Sequence, residues 1–235
     1  MLRWTLSSFH KFKIVNNSFR LGADGVYRCN ALGEFAWQSH GFGTRTGSPE
    51  ASVTLRQIHS NQVFNARGLR DREREGDALL TNETGRSIGV RTADCVPILL
   101  LDSRTRAVGA VHAGWRGTVA GIVVGVVEQM KADFGSAPAD IYAAIGPCIR
   151  DCCYQVGMEV AQRFALYFPE WEPVRNSRTV DLAEANRRQL ERAALNSEHI
   201  FDCKLCTSCR NEEFFSYRRE PQNPGRLVAA IERLS

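Results

Sequence analysis

Two hydrophobic periods run through the chain. The stretch S-V-T-L-R-Q-I-H at 52–59 alternates apolar and polar residues and predicts a strand closing at His59. Short runs rich in Ile, Val and Leu at 87–92, 97–102 and 107–112 predict three more strands, 140–145 another, and L-V-A-A-I near the C-terminus a last one. Phe9, Phe12, Ile14 and Val15 among polar residues predict an early strand. From Thr118 onward the period lengthens. Val119, Ile122, Val123, Val126, Val127 and Met130 recur at three- and four-residue steps, the stripe of a helix that buries one face. Further helices are predicted at about 157–168 and about 181–195, the second with Asp181 as N-cap and Glu184 three residues on. Gly, Ser and Pro mark 41–50 as a loop, and D-R-E-R-E-G at 71–76 reads as a solvated turn. Strands and helices mixed this way predict an α/β or α+β sandwich.

Size and composition narrow the class. With 235 residues, 43% hydrophobic and 24% charged, the chain can bury a large core, and no repeat or linker divides it, so one domain over 1–235 is expected. The 30 Lys and Arg are interleaved with 26 Asp and Glu. No basic strip alternates with aromatics, which argues against a nucleic-acid partner. The apolar run at 96–101 is far too short to span a bilayer, so no membrane partner is expected. Residues 1–23 carry Arg3, Lys11, Lys13 and Arg20 and no acid, yet read better as an early strand than as a transit peptide. No secretory signal is evident. A cytoplasmic location follows as an expectation, and the eight cysteines are read as thiols or metal ligands before disulfides.

Candidate chemistry centres on V-H-A-G-W-R-G at 111–117. There His112 closes one predicted strand just before a helix, where α/β proteins usually hold ligands. His59 closes another strand, and Cys95 in R-T-A-D-C-V-P lies at a turn between two more. Converging, these would form a His2Cys set suited to zinc or copper, with the open fourth position of a catalytic site. Two other readings stand beside it: Cys95 as a metal-free nucleophile with His112 or His59 as base, and strand-end imidazoles satisfied by backbone carbonyls.

The remaining cysteines include C-x-x-C-x-x-C at Cys203, Cys206 and Cys209, with Cys148, Cys152 and Cys153 upstream. In an extended segment Cys152 and Cys153 would point apart, so most of these are expected to be thiols rather than ligands of a structural zinc or iron-sulfur site. Arg116 between glycines at a helix start, and Arg45 on a glycine-rich loop, could hold phosphate or carboxylate, or each could be a surface arginine paired with an acid. F-F-S-Y-R-R places Tyr217 and Arg218 where they could stack on or cap a ring-shaped ligand, or the segment could be an edge strand.

T-A-D-C-V-P-I-L-L-L-D, V-H-A-G-W-R-G-T, I-G-P-C-I-x-x-C-C-Y-x-V-G, D-L-x-x-A-N-x-x-Q-L, C-T-x-C and F-F-S-Y-R-R, in this order from His40 to about Ile231, closely resemble the laccase-domain family. Its members are variously called polyphenol oxidases, purine nucleoside phosphorylases and peptidoglycan editing factors. The resemblance implies a single-domain sandwich of mixed β-sheets flanked by helices, with a zinc site at strand ends whose ligands map onto His59, Cys95 and His112. It implies phosphorolysis of adenosine, inosine and methylthioadenosine, and deamination of adenosine, with purine nucleoside and phosphate as small-molecule partners. Copper-dependent phenol oxidation and amidase editing of peptidoglycan precursors are the alternative activities in the family. Five histidines are too few for the imidazole set of a true multicopper oxidase. In this reading Arg45 and Arg116 meet phosphate, Cys95 and His112 carry the metal, and Asp94 shuttles a proton or orients a ligand histidine. Relatives carry a longer segment between the T-R-x-G loop and the Q-x-H strand, where this chain has only residues 48–56.

Overall fold

The computed structural model describes residues 13–16, 18–165, 167, 179–222 and 225–235. In chain order the strands are β1 (Lys13–Asn16), β2 (Phe19–Leu21), β3 (Tyr27–Cys29), β4 (Gln38–Phe42), β5 (Val63–Asn65), β6 (Ala78–Thr81), β7 (Ser87–Thr92), β8 (Val96–Asp102) and β9 (Val108–Ala113). Helices α1 (Trp115–Val119) and α2 (Ile122–Phe134), strand β10 (Ile141–Ile145), helices α3 (Met158–Phe164) and α4 (Leu182–Arg192), and strands β11 (Ile200–Asp202) and β12 (Leu227–Arg233) follow.

Among the described residues the strands form two six-stranded sheets. One is ordered β1-β2-β3-β4-β12-β7 and is antiparallel throughout. The other, β11-β10-β8-β9-β6-β5, is mixed: β10 with β11 and β5 with β6 are parallel, the remaining pairs antiparallel. The mixed α/β sandwich read from the sequence is therefore present.

Strand β8 shows how the layers stack. All seven of its residues are buried, because both faces of its sheet are covered. Leu99 and Leu101 pack with Phe42, Ile88 and Val90 between the two sheets. Val96, Ile98 and Leu100 face the other way, against Val123, Val126, Val127 and Met130 of α2 and Leu190 of α4. A strand covered on one side only would alternate with polar residues; this one reads V-P-I-L-L-L-D.

The strands expected at 87–92, 97–102, 107–112 and 140–145 correspond to β7 to β10, and L-V-A-A-I lies in β12. Ile14 and Val15 lie in β1, while Phe9 and Phe12 fall outside the described residues. Gly41 and Phe42, expected in a loop, end β4.

Three further expectations need correction. The segment 52–59 is not a strand. Val53 and Leu55 are buried as alternation requires, and Val53 and Arg56 make isolated bridges to Ile88 and Glu75. The pairing goes no further because the Thr54 amide donates to the Asp71 carboxylate at 2.8 Å, and Asp77 captures the amides beyond. The helix expected from Thr118 starts earlier, at Trp115, and breaks at Gly121, whose φ of 75° is left-handed. The helix expected to reach 168 ends at Phe164; residues 166 and 168 lie outside the described set. Asp181 does cap α4, accepting the Glu184 amide at 2.9 Å. Among the described residues no helix is long and apolar enough to cross a membrane.

Candidate metal centre and its pocket

The site is assembled around Asp77, a fully buried carboxylate immediately before β6. Its Oδ1 lies 2.8 Å from His112 Nδ1 and accepts the His59 amide at 3.0 Å. Its Oδ2 accepts the amide of Ser60 at 2.6 Å and the Ser60 hydroxyl at 2.7 Å. These bonds hold the 58–60 turn, in which His59 takes a φ of 60°, a conformation uncommon for a non-glycine residue. Burial opposes ionisation of Asp77, yet hydrogen bonds from His112 and Ser60 keep its carboxyl below the ordinary value.

His112 sits in β9 rather than at its last residue, and its amide also donates to the Asp77 carbonyl, at 2.8 Å. Cys95 directly precedes β8, whose Val96 pairs with Ala113 and whose Pro97 pairs with His112. Neighbouring strands thus bring thiol and imidazole together. The two imidazoles meet edge to face with centroids 4.9 Å apart. One donor atom each from His59, Cys95 and His112 lie within 4.8 Å of one another. Burial works against the Cys95 thiolate, but hydrogen bonds from His112 and His59 bring the thiol down to about 6. Burial likewise opposes the His112 imidazolium, while its bonds to Asp77 and Cys95 lift it to about 9. A readily formed thiolate, two imidazoles and a carboxylate fixing one ring are the donor chemistry of a zinc or copper site. The residues fit such an ion.

Glycine makes the approach close enough. A Cβ at Gly114 would stand 2.9 Å from His59 Cδ2 and 3.1 Å from Cys95 Sγ, and one at Gly117 would stand 2.8 Å from the Ser60 carbonyl. The small residues after His112 therefore leave room for the other two donors and the turn that carries one of them.

A cavity of about 740 Å³ opens over the three donors. Among the described residues its lining includes Arg72, Arg91, Arg116, Arg218 and Arg226 against one carboxylate, Asp94, which makes it a receptacle for anions. Trp115, Tyr154 and Tyr217 supply aromatic surface; the Arg116 guanidinium lies 4.4 Å from the Trp115 ring centroid. Of the residues expected to bind substrate, Arg116, Tyr217 and Arg218 line this cavity. Arg45 does not. Its Nε donates to the carbonyls of Asn211 and Phe214, its Nη2 pairs with Glu220, and its guanidinium covers the Phe215 ring, so it ties the 43–47 loop to a distant segment.

Asp94 lines the cavity but differs from one of its two expected roles, that of orienting a ligand histidine. His112 is oriented by Asp77, not by Asp94, whose carboxylate accepts the hydroxyls of Thr207 at 2.6 Å and Ser216 at 3.1 Å and the Arg218 amide at 2.7 Å. Asp94 anchors the 207–218 wall to the turn carrying Cys95. Sequence reasoning missed Asp77, Arg72, Arg91 and Arg226. The signal for Asp77 was present, an acid directly before an apolar strand in E-G-D-A-L-L. The 71–76 turn, read as merely solvated, places Arg72 in the cavity lining.

Among known proteins, a family model described as "Multi-copper polyphenol oxidoreductase laccase" matches residues 39–233. A protein from Geobacillus stearothermophilus named "Purine nucleoside phosphorylase YlmD" is 40% identical over 163 residues, which span 67% of this chain and 60% of that relative. A protein of an unknown prokaryotic organism named "Adenosine deaminase RL5" is 42% identical over 196 residues, 77% of this chain and 74% of that one. The crystal structure of YlmD from Geobacillus stearothermophilus superposes with a TM-score of 0.82 at 31% identity, covering 94% of this chain and 100% of that chain.

Proposed function

The chain belongs to the family described as multi-copper polyphenol oxidoreductase laccase, and from that premise we propose that it is a zinc-dependent purine nucleoside enzyme. It cleaves adenosine, inosine and methylthioadenosine by phosphorolysis and deaminates adenosine to inosine. The observation that carries this reading is the His59, Cys95 and His112 donor set at the floor of an arginine-lined cavity. Relatives named as a purine nucleoside phosphorylase and an adenosine deaminase support the substrate class.

A divalent ion held by His59, Cys95 and His112 would supply Lewis-acid polarisation of a substrate oxygen or of water. Arg116 holds phosphate beside C1 of the ribose, so that a phosphate oxygen bonds to C1 as the bond to the purine nitrogen breaks and the base departs with the electron pair, while Arg218, tied to the Cys153 and Gln155 carbonyls, adds positive charge to the wall. Tyr217, exposed at the rim, offers a face for the purine. Asp77 keeps His112 in one orientation, and Asp94 positions the wall that carries Arg218.

The family description gives a second reading, copper-dependent phenol oxidation, since a His2Cys set also accepts copper. One experiment separates them. The purified protein is assayed for metal content, then incubated with adenosine and phosphate, and the products are resolved by chromatography. Adenine with ribose-1-phosphate, or inosine, is expected, and Cys95→Ala should abolish both. Turnover of a phenol under air with no change in adenosine would overturn the nucleoside reading.

A further inference from the structure

A second group of sulfurs lies beside the pocket wall. Residues 151–153 form a turn, in which the Cys153 amide returns to the Arg150 carbonyl at 2.9 Å. The 206–210 segment turns as well, with the Arg210 amide on the Cys206 carbonyl at 3.1 Å. A bridge between Cys148 and Cys206 holds the segments side by side, with Thr207 N donating to the Cys148 carbonyl at 3.0 Å. Expecting Cys152 and Cys153 to diverge assumed an extended backbone. The turn instead aims both sulfurs at one partner.

Cys209 Sγ lies 3.5 Å from Cys152 Sγ and 3.4 Å from Cys153 Sγ, and those two are 3.8 Å apart. With Cys206 Sγ, all four sulfurs fall within 4.8 Å of one another. Metal–sulfur bonds of about 2.3 Å in a tetrahedron require sulfur–sulfur edges of about 3.8 Å. The cluster has nearly that size already, which suits one ion and is too small for sulfurs spread around a multi-iron cluster.

We propose that Cys152, Cys153, Cys206 and Cys209 form a second metal centre, a closed tetrathiolate zinc site that staples the 151–153 turn to the 206–218 segment. Four protein ligands leave no open position, so the site is structural. Four thiolates around a divalent ion carry a net charge of minus two, and guanidinium groups stand on both segments: Arg218 Nη1 donates to the Cys153 carbonyl at 3.0 Å and Arg219 Nε to the Ser208 carbonyl at 3.0 Å. The consequence reaches the pocket. Thr207, Ser216 and the Arg218 amide hold Asp94 beside Cys95, and Tyr154, Tyr217 and Arg218 line the cavity. The staple fixes the wall on which they stand.

This inference is independent of the nucleoside chemistry. Its test is zinc stoichiometry by mass spectrometry on protein purified under reducing conditions from zinc-supplemented cells, together with cobalt substitution. The wild type should hold two zinc ions per chain, and both His59→Ala/His112→Ala and Cys206→Ser/Cys209→Ser should hold one. In the histidine variant, cobalt should give the intense visible bands and thiolate charge-transfer of a tetrahedral sulfur site, and chelation should lower its Tm. If the cysteine variant fails to fold, the histidine variant alone decides. A histidine variant that takes up no zinc, or cobalt without sulfur charge-transfer, would overturn the proposal. So would a disulfide from Cys209 to Cys152 or Cys153 in place of the metal.

Discussion

Asp77 Oδ1 sits between two elements of the site, 2.8 Å from His112 Nδ1 and 3.0 Å from the amide nitrogen of His59. A single buried oxygen therefore aims one imidazole and fixes the backbone of the other. Asp77→Asn removes the charge while keeping the volume. Affinity for zinc at the His2Cys site should fall about 10- to 100-fold, read by competition with a chromogenic chelator in a background of Cys206→Ser/Cys209→Ser. Affinity equal to that of the parent would show that another group orients His112.

Gly114→Ala tests the crowding around the donors. Gly114 has an ordinary φ of −74°, so the new methyl strains no dihedral angle. It presses instead on His59 Cδ2 and Cys95 Sγ, at 2.9 and 3.1 Å. Metal occupancy should drop while the far-ultraviolet circular dichroism stays that of the parent. Gly117→Ala meets the Ser60 backbone carbonyl at 2.8 Å and should lower the Tm as well.

Arg116→Gln removes one cation from the cavity and leaves its neighbours in place. Loss of a charge-assisted hydrogen bond costs about 1.5–3 kcal/mol, so KM for phosphate should rise roughly tenfold or more with a smaller change in kcat. Added salt should raise KM in the parent and do so less in the variant. An unchanged KM would remove Arg116 from the anion site.

His40 gives a pH dependence remote from the donors. Its Nδ1 meets Gln38 Oε1 at 3.0 Å, its Nε2 accepts the Cys29 amide at 2.9 Å, and burial, helped by the charges of Arg28 and Arg20, holds it down to about 3 from 6.5. The unfolded chain takes up a proton as pH falls through 6.5 and the folded one does not. Stability contributed by the neutral ring is thus complete above 6.5 and is lost by roughly 1.4 kcal/mol per unit below it, levelling off near the folded value. Urea titrations of the parent and His40→Gln between pH 7 and 5 should converge as pH falls. Parallel curves would refute the assignment.

Much of this architecture is legible in the sequence because burial leaves period and composition behind. Strands β7 to β10 and the α2 stripe are visible as apolar runs. The break at Gly121 is not, because the stripe continues across it. The 52–59 segment misleads because its amides are captured by the carboxylates of Asp71 and Asp77, side-chain events that carry no period. His59 and Cys95 are readable as rare ligand types at turns and His112 as one near a strand end, and their meeting depends on pairing that the sequence does not spell out. Arg45 leaves an anion contact and an acid pair both open for the same reason, and the structure shows the pair. Its partners Asn211, Phe214 and Glu220 lie far along the chain, and nothing local announces them.

The β8–β9 ladder sets Cys95 and His112 at one end of a hairpin, while the connection through residues 103–107 lies at the other, about 20 Å away along seven residues. Sheet spacing, not loop length, fixes the separation of sulfur and ring. That remote bend is accordingly the place to graft a reporter peptide or a fluorophore without disturbing the ion.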